Sequence, residues 1–246
     1  VQALSRQEKV LELTHDLSKD KVLKYLRQFP IEYLNHYQAE DISWHARNIL
    51  RFTNSEAPLI LFSQKPNVGT ELMVYYKSNT PMVFGNIART MAIKQLNVFS
   101  AQVFITHNFH ALCTIMFQNK KGMPLDHDRL NNLRKAIIAG LDDHSQTLDI
   151  SASTRQIFEI PTKISFLENM SKKQTNLEIS TLDRQGLLAK IGITLGSLDC
   201  LIRAARITTT GERADDFFAI TDVNGLPLAP SKKEELSAAL KAALDG

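Results

Sequence analysis

The stretch Thr181-Leu-Asp-Arg-Gln-Gly-Leu-Leu-Ala-Lys-Ile-Gly192 decides how this chain folds. It reads as the end of a strand that delivers an acidic residue and a glycine to the start of a small-residue helix. Leu187, Leu188, Ile191, Leu195 and Leu198 recur at helical spacing and form one apolar face. Gly192 and Gly196 stand four apart in the same helix. Glycine in a helix interior costs about 1 kcal/mol relative to alanine, so a packing reason is expected, here close approach to a sheet. Asp183 is placed to cap the helix through the N–H groups of its first turn.

The same pattern occurs earlier. Shifted back by 104 residues, Asn79-Thr80-Pro81 lies under Asp183-Arg184-Gln185, and Ala88 and Ala92 lie under Gly192 and Gly196. Both helices are therefore small at the same two positions. Ala101-Gln102 lies under Ala205-Arg206 and, after one extra residue in the first hairpin, Gly122-Met-Pro-Leu lies under Gly225-Leu-Pro-Leu. A repeat near 100 residues implies two copies of one domain, not a solenoid of small units.

Residues 1–56 read as helical. Val10, Leu13 and Leu17, then Val22, Leu23 and Leu26, keep helical spacing; Pro30 interrupts, and Tyr33, Leu34 and Tyr37 resume. A last helix opens at Ala39-Glu-Asp41, Pro58 ends the array, and Leu59-Ile-Leu-Phe62 leads as a short strand into the first repeat. Each repeat then reads strand, helix, strand, strand, helix. The first has 72–77, 82–95, 98–106, 111–118 and 127–141, with a fourth strand at 156–166; the second has 176–182, 187–198, 201–209, 215–222 and 232–244. This is the βαββαβ order of the ferredoxin-like split βαβ, the second copy lacking its last strand. The expected fold is α+β: a helical segment over 1–56, a domain over 57–168 with a long connection at 142–154, and a domain over 175–246. The fourth strand of such a sheet lies beside the first, so 176–182 would be an open edge, which invites pairing. Leu177 and Ile179 alternate with polar neighbours, so its register should be fixed. We expect that edge to be covered by the first repeat's sheet or by a second molecule, bringing the two repeats into contact.

Hydrophobic content of 43% and charged content of 22% are those of ordinary globular protein. The net charge of +3 is mild, and its lysines and arginines are spread rather than gathered as a nucleic-acid footprint. Cys113 and Cys200 form no CxxC or Cys/His cluster and are expected to be reduced and buried. No apolar run approaches the roughly 18 residues needed to cross a bilayer, and no leader pattern opens the chain. A cytoplasmic location is expected, and the start without Met suggests a piece of a longer chain.

Asp183-Arg-Gln-Gly186 brings together what a free amino acid requires. The helix N-terminus offers N–H groups and partial positive charge for an α-carboxylate. Asp183 can accept from an ammonium or an amide, and Gly186 allows close approach to the backbone. The plainer alternative is that Asp183 is a helix cap and Gly186 a packing glycine. At these residues the sequence resembles the ACT domain, carried by LDRQGLLAKIG (182–192), AARITTTGERADDFFAITD (204–222) and NGLPL (224–228). With AEDISWHARNIL (39–50), LILFSQ (59–64) and ISFLEN (164–169), the order resembles the C-terminal part of the bifunctional uridylyltransferase/uridylyl-removing enzymes that act on the PII nitrogen-signalling protein.

That resemblance implies glutamine as ligand. Low glutamine would favour UMP transfer from UTP to PII, and high glutamine its hydrolytic removal. It places the ligand loop on Asp183, Arg184, Gln185, Gly186 and Leu187, and in the first repeat on Asn79, Thr80, Pro81 and Met82. There the pattern departs, with Asn for the acid and Met for the glycine, so the second loop is expected to matter more. Ile202 stands where some amino-acid-binding ACT domains place a polar residue, so partner groups are expected from the other repeat. The resemblance also implies Mg2+ for the parent enzyme and N-terminal catalytic domains as neighbours; no cofactor, nucleic acid or membrane is expected here.

Neither catalytic centre is visible. A nucleotidyltransferase needs paired aspartates holding metal and triphosphate, and a metal-dependent phosphohydrolase needs several His and Asp residues together. His15-Asp16 reads as a chance dipeptide on a helix, His107 and His110 as a hairpin tip, and His45 as a packed structural histidine. A regulatory ACT pair of another biosynthetic or signalling protein stays open as an alternative. An RNA-binding pair of ferredoxin-like domains would need stacking aromatics on the middle strands, where Ala204, Ala205, Ile207 and Thr208 stand.

Overall fold

The computed structural model describes residues 2–52, 57–77, 81–141, 161–167 and 173–246. They form two compact units. The first joins residues 1–59 to 74–78 and 104–112. Its helices are α1 (Gln2–Leu13), α2 (Lys19–Leu26), α3 (Ile31–His36) and α4 (Ala39–Arg51). Helix α4 carries Glu40 and Asp41 in its first turn and Arg51 in its last, each sign where the helix dipole favours it. Val10, Val22, Tyr33, Ile42 and Ala46 are fully buried in this unit. Tyr33 stacks on Phe29 with ring centroids 4.1 Å apart. Its hydroxyl lies 2.8 Å from the Tyr25 hydroxyl and 3.0 Å from His45 Nδ1. Burial pushes both phenols above their usual range, so they stay neutral. His45 is thus a packed histidine, as expected. Asp16 is held by Arg47, so the His15-Asp16 pair serves a helix contact.

The strands and remaining helices follow as β1 (Leu59–Lys65), β2 (Gly69–Lys77), α5 (Val83–Ile93), β3 (Asn97–Ile105), β4 (His110–Gln118) and α6 (His127–Leu141). Then come β5 (Lys163–Leu167), β6 (Thr175–Leu182), α7 (Leu187–Ser197), β7 (Leu201–Arg206), β8 (Thr209–Thr210), β9 (Arg213–Thr221) and α8 (Pro230–Asp245). The chain is α+β, a helical segment followed by two ferredoxin-like repeats. Helix α8 opens with proline at its first turn, where the missing N–H costs nothing. The strand order is β1-β2-β4-β3-β7-β9-β6-β5, so the two repeats share one sheet and meet at β3 and β7.

That order corrects one expectation. The strand placed at 156–166, described from residue 161 on, does not close the first repeat. As β5 it pairs antiparallel with β6, Ile164 opposite Ile179 and Phe166 opposite Leu177. Beside β2 lies β1 instead. In both repeats the strand that completes the sheet precedes the first strand in sequence. The edge of β6 is therefore covered, but by the strand just upstream and not by the first repeat's sheet. Alternate burial along β6, with Thr175, Leu177, Ile179 and Thr181 inward, holds its register against β9.

The repeats also meet through α5 and α7. Gly85 lies against the backbone of Gly192 and Ile193, Pro81 and Met82 against Gly196, and Gln185 against Ala92, so the two helices run antiparallel. A Cβ on Gly192 would come 2.7 Å from Gly85 Cα, and one on Gly85 would come 2.7 Å from the Gly192 carbonyl carbon. The small residues of α7 thus face the partner helix rather than the sheet expected from sequence. We expect Gly192→Val to destabilise the chain by roughly 1–3 kcal/mol, the usual cost of overpacking, read by urea denaturation. An unchanged midpoint would mean the helices can part freely here.

Candidate functional site

Strand β6 ends at Leu182, and the loop before α7 is pinned by the Asp183 N–H, which donates to Glu212 O at 2.8 Å. The Leu187 N–H donates to Arg184 O at 3.0 Å, closing a turn over 184–187. Gly186 sits in that turn at φ 82°, a left-handed conformation that glycine adopts without steric cost. Gly186 is itself the N-cap of α7, and no side chain caps the helix. Asp183 is therefore not the cap suggested by its spacing, because the intervening turn separates its carboxylate from the first helical N–H groups.

Beside this loop lies a cavity of about 200 Å³. Asp183, Arg184, Gln185, Gly186 and Leu187 all line it, with Ala214 and Asp216 of β9. Ala88, Ala92, Gln95, Asn97 and Lys120 reach it from the first repeat. Its size is below the roughly 300–1,000 Å³ of drug-sized ligand sites, which suits a metabolite as small as one amino acid. The Gln185 amide donates to Ala92 O at 3.3 Å, tying the loop to the C-terminal carbonyls of α5. The arrangement offers helix N–H groups, two carboxylates and two cationic side chains around one small space.

The first repeat's loop is not a second copy. Asn79 and Thr80 lie outside the described residues. Pro81 and Met82 pack against Gly196, at the opposite end of α7 from the cavity. Met82 is the N-cap of α5 with ordinary right-handed backbone, φ −79°, unlike Gly186. Antiparallel helices relate the contact of Met82 with Gly196 to that of Gln185 with Ala92. The methionine side chain fills its space, while Gly186 leaves room at the equivalent place.

Asp216 was not singled out by sequence reasoning. It is 2% exposed, and its Oδ1 accepts from the Thr208 N–H at 3.3 Å while Oδ2 is buried without a partner. Burial, and then the nearby charge of Asp183, push its carboxyl up to about 7. The carboxyl of Asp183, an exposed residue, is also raised, by partial desolvation. Asp215, one position earlier, points to the other face, where the Ser180 hydroxyl and Arg213 hold its carboxyl below the usual range. The signal was present in the phase of β9: Ala214, Asp216 and Phe218 alternate, placing a carboxylate on the helix-facing side.

Cys113 and Cys200 are buried free thiols, pushed up to about 12 and 11 by burial. Among the described residues no group of three or more His, Cys, Asp and Glu is placed to hold a metal ion. No helix there is long and apolar enough to cross a membrane.

No family model matches the chain. Among curated proteins it is similar to bifunctional uridylyltransferase/uridylyl-removing enzymes. It is 32% identical to that of Vibrio campbellii over 213 residues, covering 85% of this chain and 24% of the relative. Against Aliivibrio fischeri it is 34% identical over 218 residues, covering 87% and 25%. Against Idiomarina loihiensis it is 28% identical over 235 residues, covering 93% and 26%. The chain is a homologue of one segment of these enzymes and spans about a quarter of their length. Among solved structures, an aspartate kinase from Synechocystis superposes with a TM-score of 0.42 at 12% identity, covering 72% of this chain and 27% of that one. At that level the likeness carries no argument.

The buried carboxyl of Asp216 has a consequence for stability. Its folded value near 7 stands above the ordinary 3.8, so folding takes up a proton between about pH 4 and 7. Its contribution is most favourable below that window and is lost as pH rises through it. Urea titrations from pH 4 to 8 should show wild type losing stability relative to Asp216→Asn across this range. Parallel curves would mean the carboxyl is compensated.

Proposed function

We propose that this chain is the glutamine-sensing regulatory region of a bifunctional uridylyltransferase/uridylyl-removing enzyme. Glutamine occupies the cavity in front of α7. The observation that carries the reading is that Asp183–Leu187, the loop marked by its resemblance to ligand-binding ACT loops, lines one small cavity together with groups of the other repeat. The first-turn N–H groups of α7 receive the α-carboxylate, aided by the helix dipole. Asp183, at the mouth, accepts from the α-ammonium.

The parent's reactions, UMP transfer from UTP to PII and hydrolytic removal of UMP, belong to catalytic domains outside this chain. The similarity to enzymes four times as long supports their presence upstream in the native protein. Cytoplasmic location follows from the same reading, since UTP and PII are met there. Because the cavity is walled by both repeats, ligand there strengthens one arrangement of β3, β7, α5 and α7 over others. A switch between opposed activities needs such a differential preference. A native gene that lacked upstream nucleotidyltransferase and phosphohydrolase motifs would instead favour an amino-acid sensor of another protein.

Calorimetric titration of the 246-residue chain with glutamine should show one binding event. Asp183→Ala should weaken it by about 1–3 kcal/mol, the range for a lost hydrogen bond to charge. Gly186→Met should weaken it further, through both the left-handed backbone and the lost space. Wild-type affinity in both variants, with the fold intact, would place the ligand elsewhere.

A further inference from the structure

We propose that Asp216 is the residue that distinguishes glutamine from glutamate, by accepting the side-chain carboxamide N–H at the base of the cavity. The inference rests on the reading of this cavity as a glutamine site.

Asp216 lines the cavity from β9, opposite Ile179 of β6, three residues in from the end of that strand. It therefore stands deeper than the loop, under the first turns of α7. Asp183 stands at the mouth, beside the helix start. An amino acid carries its carboxylate and ammonium on one carbon. With the carboxylate at the N-terminus of α7, the ammonium falls to Asp183. The remaining chain runs inward past Ala88, Ala92 and Ile207 and ends at Asp216.

What waits there is a carboxylate with one long hydrogen bond to Oδ1 and a buried Oδ2 without a partner. A buried acceptor left unsatisfied is costly, and a ligand donor that reaches it recovers that cost. A carboxamide supplies such a donor. The carboxylate of glutamate supplies none, and above about pH 7, where Asp216 is ionised, it brings a like charge against an uncompensated group. Asparagine is one methylene short of the same atom. Burial displaces the carboxyl upward to about 7.

The first repeat marks the contrast. At the position corresponding to Asp216 it carries Cys113, fully buried and with no carboxylate to offer. With Asn79 and Met82 in place of Asp183 and Gly186, the first repeat differs at each group that the second uses.

The test is the ratio of glutamate to glutamine dissociation constants, measured at pH 8.5 by calorimetry on the whole chain. Asp216→Asn keeps the oxygen that accepts from Thr208, and Asp216→Cys installs the first repeat's own residue; thermal melts report that each folds. Both should lower the wild-type ratio by at least about tenfold, or 1.4 kcal/mol. Asp183→Ala should weaken both ligands alike and leave the ratio unchanged. An unchanged ratio in the Asp216 variants, or an equal fall for both ligands, overturns the assignment while leaving the glutamine site standing. Failure of wild-type chain to bind glutamine overturns the site itself, and this inference with it.

Discussion

The structure depends on the approach of two glycine backbones. At Gly85 and Gly192 a single added carbon would come within 2.7 Å of the opposite helix. No side chain fits between α5 and α7 at that point. So close a backbone approach fixes the crossing in both translation and rotation, because interiors are close-packed and do not deform smoothly. With the helices so placed, β3 and β7 lie as neighbours and the two repeats share a sheet. The glycines' unfavourable helix propensity is the cost of that arrangement.

Once the repeats are locked antiparallel, the two ends of the helix pair carry different side chains. Met82 packs against Gly196 at one end. At the other, Gly186 faces Ala92 and leaves a cavity. The difference lies in backbone as well as bulk, since Gly186 is left-handed and Met82 is not.

The cavity's polarity comes from strand alternation. Two adjacent aspartates on β9 have opposite environments because successive residues face opposite sides of a sheet. Asp215 meets Arg213 and Ser180 on the outer face; Asp216 is carried under α7 and left with an unpaired oxygen. An unsatisfied buried carboxylate works against stability, and sites that retain one are where sequence rules fail for functional reasons.

Local pattern alone determined the two repeats, the helical segment and the position of the loop at Asp183–Leu187, because hydrophobic periodicity and small-residue spacing are properties of contiguous residues. It also held a signal that went unread. The shift that superposes the helices carries Ile60 and Phe62 onto Ile164 and Phe166, so β1 and β5 are equivalents and each precedes its own repeat. Strand partners, however, are set by sheet pairing between separate segments, and the strand at 163–167 reads equally well as the end of one repeat or the start of the next. Only the tertiary structure assigned it to β6, turned the glycines of α7 from the sheet to α5, and freed Asp183 from capping. It alone brought Asp216, Gln95 and Lys120 to the same cavity, because their proximity arises from the antiparallel crossing of two helices distant in sequence.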